Sequence, residues 1–140
     1  MIGGEILIVD DEVEFLETVV KRLRHREVSV RSAHSGEEAL ELLDEAPADV
    51  VVLDVKMAGM GGIQALREIK SRHPLTEVIM LTGHASVEAA IEGMELGAFD
   101  YLVKPTDVEE LLFKIQDAYE KKSIQEAKID KIHEAIHPAE

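Results

Sequence analysis

The chain has 140 residues, no cysteine and a formal net charge of −14, which is room for one domain with a true core and a short appendage. The acidic excess excludes nucleic-acid contact, which needs clustered Lys and Arg, and an anionic membrane surface. Missing cysteines exclude disulfides, thiolate chemistry and cysteine-based zinc sites. No apolar run approaches the about 18 residues of a membrane span, and MIGGEILIVDDE meets acidic residues too soon for a signal peptide. A reducing cytosol is the expected compartment.

Glu5 to Val9 forms a short β run, stopped by Asp10–Asp11–Glu12. Asp11 or Glu12 then caps an amphipathic helix with Val13, Leu16, Val19, Val20 and Leu23 at helical spacing. Val28–Ser29–Val30 begins a weaker strand that ends near Ala33. Ser35 starts a second helix whose buried face is Ala39, Leu40, Leu42 and Leu43, and Pro47 breaks it. Val50 to Leu53 is apolar throughout, which predicts a strand buried on both faces, and it runs directly into Asp54. Gly61 and Gly62 precede a third helix with Ile63, Leu66 and Ile69, ended by His73–Pro74. Val78 to Leu81 is the fourth strand, passing into Thr82–Gly83–His84. An Ala-rich helix over Ser86–Leu96 ends at Gly97. Phe99 to Val103 is the fifth strand, stopped by Lys104–Pro105, and helix follows from Asp107 almost to Pro138.

Five alternations of strand and helix predict an α/β fold: a single doubly wound, five-stranded parallel sheet with helices on both faces and an extended C-terminal helix. In such a sheet ligands bind beyond the carboxyl ends of the strands, where strand order reverses. With order 2-1-3-4-5 the reversal lies between the first and third strands. The first strand ends in Asp10 and Asp11, the third in Asp54, the fourth in Thr82 and the fifth in Lys104. Crowded carboxylates need a proton or a cation between them, and an all-oxygen donor set with open positions suits Mg²⁺ beside a phosphate. The Thr82 hydroxyl and the Lys104 ammonium suit phosphate oxygens. A carboxylate can attack phosphorus and become an acyl phosphate, so the set reads as a place to receive a phosphoryl group and later lose it to water. A mere rim of solvated charges is the bland alternative. It leaves unexplained why every one of these strands ends in a phosphate-site residue.

At ILIVDDE, VVLDVKMAGMGG, IMLTGHA and GAFDYLVKP, in this order and spacing, the chain resembles the receiver domain of bacterial two-component response regulators. The resemblance spans about residues 5 to 120, with the domain taken as 1–122. It implies a flavodoxin-like fold, a partner sensor histidine kinase, and a downstream output domain or protein. It makes Asp54 the phosphoacceptor. Asp11 and Asp54 would hold Mg²⁺ directly, Asp10 through water, and the backbone carbonyl of Lys56 would complete the protein ligands. Thr82 and Lys104 would contact the phosphoryl oxygens, the Lys104–Pro105 bond would be cis, and Tyr101 would be the aromatic switch that follows Thr82. Receivers often carry Pro four residues after the phosphoacceptor. Ala58 stands there instead, followed by Gly59, and a looser loop is expected. Lys56 and His84, two residues after Asp54 and Thr82, occupy positions that modulate acyl-phosphate lifetime in the family. The LTGHASVEAAIEGMELGAFDYLVKP stretch looks most like receivers that precede ATPase-type transcription activators.

Beyond residue 122 the helical pattern continues through Ile124, Ala127, Ile129, Ile132 and Ile136, without a strict heptad around Lys121–Lys122 and Glu126. Residues 123–140 therefore read as a helical extension. It links to an output domain, packs on its own domain, makes a homodimer contact, or frays. His133 and His137 are one turn apart but have no third ligand near them. Two rivals carry similar chemistry. A haloacid-dehalogenase-type phosphohydrolase places its nucleophile after the first strand in an Asp-x-Asp pattern, whereas Asp10 and Asp11 are adjacent here. A flavodoxin-like cofactor binder needs small hydroxyl and Gly residues where Asp10–Asp11–Glu12 would repel phosphate.

Overall fold

The computed structural model describes residues 3–83 and 87–137. In chain order the elements are β1 (Glu5–Val9), α1 (Val13–His25), β2 (Ser29–Ala33), α2 (Gly36–Glu45), β3 (Val50–Asp54), α3 (Gly62–Arg72), β4 (Glu77–Thr82), α4 (Val87–Glu95), β5 (Asp100–Val103) and α5 (Val108–Ile136). The five strands are all parallel in the order β2-β1-β3-β4-β5. The expected doubly wound α/β architecture is what the chain adopts.

Side chains on successive strand residues point to opposite faces, and the two cores follow that alternation. Ile6, Ile8, Val50, Val52, Ile79 and Leu81 pack with Leu16, Val20 and Leu23 of α1 and Leu111, Ile115 and Ala118 of α5. Leu7, Val9, Val51, Leu53, Val78 and Met80 face the other way, against Ala39, Leu40 and Leu43 of α2 and Ala65, Leu66 and Ile69 of α3. Every residue of β3 and β4 is buried. This is why those strands read as unbroken apolar runs and why Asp54 and Thr82 at their ends stand out.

Local signals set the helix ends. The Ser35 hydroxyl accepts from the Glu38 N–H, and the Asp107 carboxylate accepts from the Glu110 N–H, so α2 and α5 have true N-caps. Glu12 holds the N-cap position of α1 but makes no capping bond; its carboxylate is engaged by Lys104 instead. Gly97, at φ +101°, stops α4 in the left-handed conformation. Ser86, expected to open that helix, lies outside the described residues.

α5 runs well past the domain. Lys121 pairs with the buried Glu77 at 3.1 Å and Lys122 with Asp49 at 2.6 Å, tying the helix to the floor of the sheet. From Ile124 to His137 every residue is exposed, so the extension does not pack on its own domain. No helix among the described residues is long and apolar enough to cross a membrane.

Two adjacent glycines at the start of α3 differ sharply in what surrounds them. A Cβ on Gly62 would lie 2.4 Å from the Asp54 carbonyl oxygen and 2.6 Å from the Val55 Cα, both backbone, whereas one on Gly61 meets nothing within 4 Å. Gly62→Ala should cost about 1–3 kcal/mol in urea denaturation, with Gly61→Ala within about 0.5 kcal/mol of wild type. Equal effects would show that the close approach of α3 to the end of β3 is not a constraint.

Candidate functional site

Parallel registration brings the carboxyl ends of the strands to one edge. Val9 lies opposite Leu53 and Asp54 opposite Leu81, so Asp10 and Asp54 leave neighbouring strands at nearly the same level. Asp10 extends the ladder by donating its N–H to the Ala33 carbonyl at 3.1 Å. Its side chain is fully buried, with Oδ1 accepting from the Glu12 N–H at 2.9 Å. Lys104 follows β5 and donates its backbone N–H to the Thr82 carbonyl at 2.7 Å. The Lys104–Pro105 bond is cis. From there the lysine side chain turns toward the carboxylates that follow β1 and end β3. Its Nζ lies 2.7 Å from Asp10 Oδ2, 3.2 Å from Glu12 Oε1 and 3.8 Å from Asp54 Oδ1.

The electrostatics follow from this crowding. Burial pushes the Asp54 carboxyl up, and the charge of Asp10 pushes it further. Lys104 and a backbone hydrogen bond from Lys56 counter only in part, so it titrates at about 6. Burial alone would lower the Lys104 ammonium, but the hydrogen bond and charge of Asp10, with Asp54 and Glu12, hold it above its ordinary value. Asp10, Glu12 and Asp54 each offer one oxygen within 4.8 Å of the others. Hard oxygen donors gathered around a carboxylate that resists ionisation fit a divalent cation such as Mg²⁺.

Asp11 is placed differently from its neighbours. It is exposed, and its Oδ2 accepts from the Ala58 N–H at 3.2 Å, pinning the loop between β3 and α3. Glu37 Oε1 pins the same loop by accepting from the Met60 N–H at 3.1 Å. Proline at position 58 has no N–H and could not make the bond to Asp11. The loop expected to be loose is therefore held at two points, one of them available only because Ala58 replaces Pro.

Thr82 is buried, and its hydroxyl donates to the Leu102 carbonyl at 3.4 Å. It also lines an apolar groove of about 480 Å³ between α4 and β5, with Val87, Ala90, Ile91, Met94 and Tyr101. Tyr101 is 44% exposed at the rim of that groove. Thr82 thus separates the carboxylate cluster from the groove. Lys56 is exposed, and His84 lies outside the described residues. His133 and His137 stack at 6.4 Å on the exposed extension, far along α5 from the strand ends.

Sequence reasoning assembled Asp10, Asp54 and Lys104, and missed Glu12 and Phe15. Glu12 was read only as a helix cap. Phe15, half-buried on α1, carries the Lys104 Nζ 4.3 Å above its ring centroid. Their spacing of three residues on one helix face, directly after Asp10–Asp11, was the signal available.

A profile described as the response regulator receiver domain matches residues 6–116. The chain is 37% identical to the regulatory protein AtoC of Escherichia coli K12 over 133 residues, 95% of this chain and 29% of that one. It is 40% identical to the transcriptional regulatory protein ZraR of the same strain over 114 residues, 81% of this chain and 26% of that one. The chain thus spans under a third of the length of these relatives. Among solved structures, the receiver domain of NtrX from Brucella abortus superposes with a TM-score of 0.78 at 32% identity, covering 82% of this chain and 98% of that one.

The raised Asp54 carboxyl has a consequence for stability without metal. Its folded pKa of about 6 lies above the ordinary 3.8, so between those values the folded state binds more protons than the unfolded chain. Stability from this group is complete below about pH 4 and is lost as pH rises through about 6. In metal-free protein, Asp54→Asn should gain up to about 2 kcal/mol over wild type between pH 4 and pH 7 by urea titration. A difference flat with pH would contradict the raised value.

Proposed function

Because the chain belongs to the response regulator receiver domain family, we propose that it is the phosphoacceptor switch of a two-component system. Asp54 takes a phosphoryl group from a partner histidine kinase. The observation that carries this reading is the ammonium of Lys104 poised 3.8 Å from Asp54 Oδ1 while anchored on Asp10. A carboxylate that must become a phosphorylated group needs a cation able to follow the new charge, and a flexible lysine supplies one.

An Asp54 oxygen attacks phosphorus. The O–P bond forms as the donor's N–P bond breaks, and the leaving nitrogen keeps the electron pair and takes a proton. Later, water attacks phosphorus and the Asp54 O–P bond breaks, returning the carboxylate. Asp10, Glu12 and Asp54 gather oxygens that would hold Mg²⁺, Asp10 through water, with Asp11 and the Lys56 carbonyl as the further ligands the family resemblance suggests. Bound Mg²⁺ would neutralise charge that builds on the phosphoryl oxygens. Lys104 and the Thr82 hydroxyl bind phosphoryl oxygens. Thr82 then gives up the Leu102 carbonyl, which opens room beside it for Tyr101 and alters the α4–β5 surface.

Shifting the two states requires a partner that prefers one of them: the output domain or protein, in the cytosol. No separate organic substrate is needed, and the chain acts as a switch and not as an enzyme on a second molecule. Residues 123–137 serve as a helical extension whose stripe of Ile129, Ile132 and Ile136, all exposed, meets a second copy.

Incubation with phosphoramidate or acetyl phosphate and Mg²⁺ should add one phosphoryl group by intact mass, and Asp54→Ala should abolish it. Uptake unchanged in that variant would refute the assignment, and rapid steady turnover of small phosphomonoesters would refute the switch. For the extension, sedimentation should show self-association at high protein concentration that Ile132→Asp removes; a monomer throughout would rule the dimer contact out.

A further inference from the structure

We propose that Phe15 is a positioning residue for Lys104, fixing where its ammonium stands relative to Asp54. The proposal rests on the phosphoacceptor reading and adds to it a residue from outside the carboxylate set.

Lys104, in the segment after β5, must place its ammonium against Asp10, just past β1, and near Asp54, at the end of β3. Four rotatable bonds allow many conformers, most of which miss that target. Anionic partners alone do not solve the problem. Asp10 holds the ammonium at 2.7 Å, but Glu12 competes for it from the solvent side at 3.2 Å, with its own side chain 65% exposed. When a phosphoryl group arrives, the ammonium has to leave part of this anionic set and approach the new oxygens. A neutral surface that attracts the cation without neutralising it guides that movement.

The Phe15 ring supplies such a surface. Its face carries the negative end of the ring quadrupole, and the Nζ lies 4.3 Å above the centroid. The ring cannot drift, because Phe15 packs against the core beneath α1 and β1 and sits in the first turn of a helix. Lys104 is itself nearly buried, its side chain 11% exposed, which strengthens a cation–ring contact relative to one in open water. The groups facing the ammonium are then Asp10, Glu12, Asp54 and the ring. Of these, the ring alone competes with no oxygen for its protons. Glu12 is the partner to be exchanged for a phosphoryl oxygen, and Phe15 the one retained.

The test compares Phe15→Leu, which keeps apolar bulk without the ring, with Phe15→Tyr, which keeps the ring face. In metal-free protein labelled on lysine, the Lys104 side-chain protons nearest Nζ should show an upfield ring-current shift in wild type and Phe15→Tyr that Phe15→Leu loses. Phosphoryl uptake from phosphoramidate with Mg²⁺ should fall about five-fold in Phe15→Leu and stay within two-fold of wild type in Phe15→Tyr. A merely structural role would lower unfolding midpoints without moving the Lys104 resonance apart from its neighbours. An unshifted Lys104 in wild type overturns the proposal, as does uptake unchanged in Phe15→Leu, or reduced equally in both variants. Absence of uptake by wild type would instead refute the Asp54 reading itself, which separates the two failures.

Discussion

A carboxylate at the end of a strand with no exposed face can stay charged only beside a cation, and Lys104 is the cation that this fold delivers to Asp54. Asp10, fully buried just past the end of the neighbouring strand, adds like charge at nearly the same level. Without the lysine the two would have to share a proton or scatter into water they cannot reach. The ammonium bridges the chain's first strand to its last, joining residues 94 positions apart. Much of the sheet's top edge is arranged around that reach. The ends of β1 and β3 bring the anions together, and the segment after β5 supplies the lysine.

The same crowding that makes Asp54 resist ionisation makes it useful. Its carboxyl is pushed up to about 6, so the resting site is held together at some electrostatic cost. Cations that gather among these carboxylates can relieve that cost. A site in which every charge was satisfied would have little reason to change. Thr82 sits between this cluster and the apolar groove at α4 and β5, bonded to the Leu102 carbonyl at 3.4 Å. That long bond is a weak tie, and Tyr101 lines the groove on its far side.

Around the site, carboxylates also serve as struts. Asp11 and Glu37 accept backbone N–H groups from opposite sides of the loop between β3 and α3. Gly62 lets the start of α3 sit against the Asp54 carbonyl. The loop is thereby held at Ala58, Met60 and Gly62, although Ala58 in the place of proline, followed by Gly59, suggested slack. At the far end of the domain, Glu77 and Asp49 receive Lys121 and Lys122 and set where α5 departs.

How much of this was legible in the amino-acid order depends on the distance over which each feature is decided. Strand and helix alternation, the buried character of β3 and β4, the Ser35 and Asp107 caps and the Gly97 stop are local, and periodicity and cap chemistry reveal them. The gathering of Asp10, Asp54 and Lys104 was legible too, because parallel winding sends every strand's carboxyl end to one edge. Contacts within that edge were not. Asp11 and Glu12 are consecutive acidic residues that composition cannot tell apart. Only the folded chain turns Asp11 to the Ala58 N–H and Glu12 to Lys104. Phe15 lies outside the apolar positions read for α1, and the proximity of a lysine 89 positions later depends on the path of β5. The sequence by itself determined the architecture and the residue types at the site, since both rest on local pattern and topology. The tertiary structure alone decided which of those residues touch, because side-chain contacts between β1, α1 and the end of β5 exist only once the sheet is closed over its core.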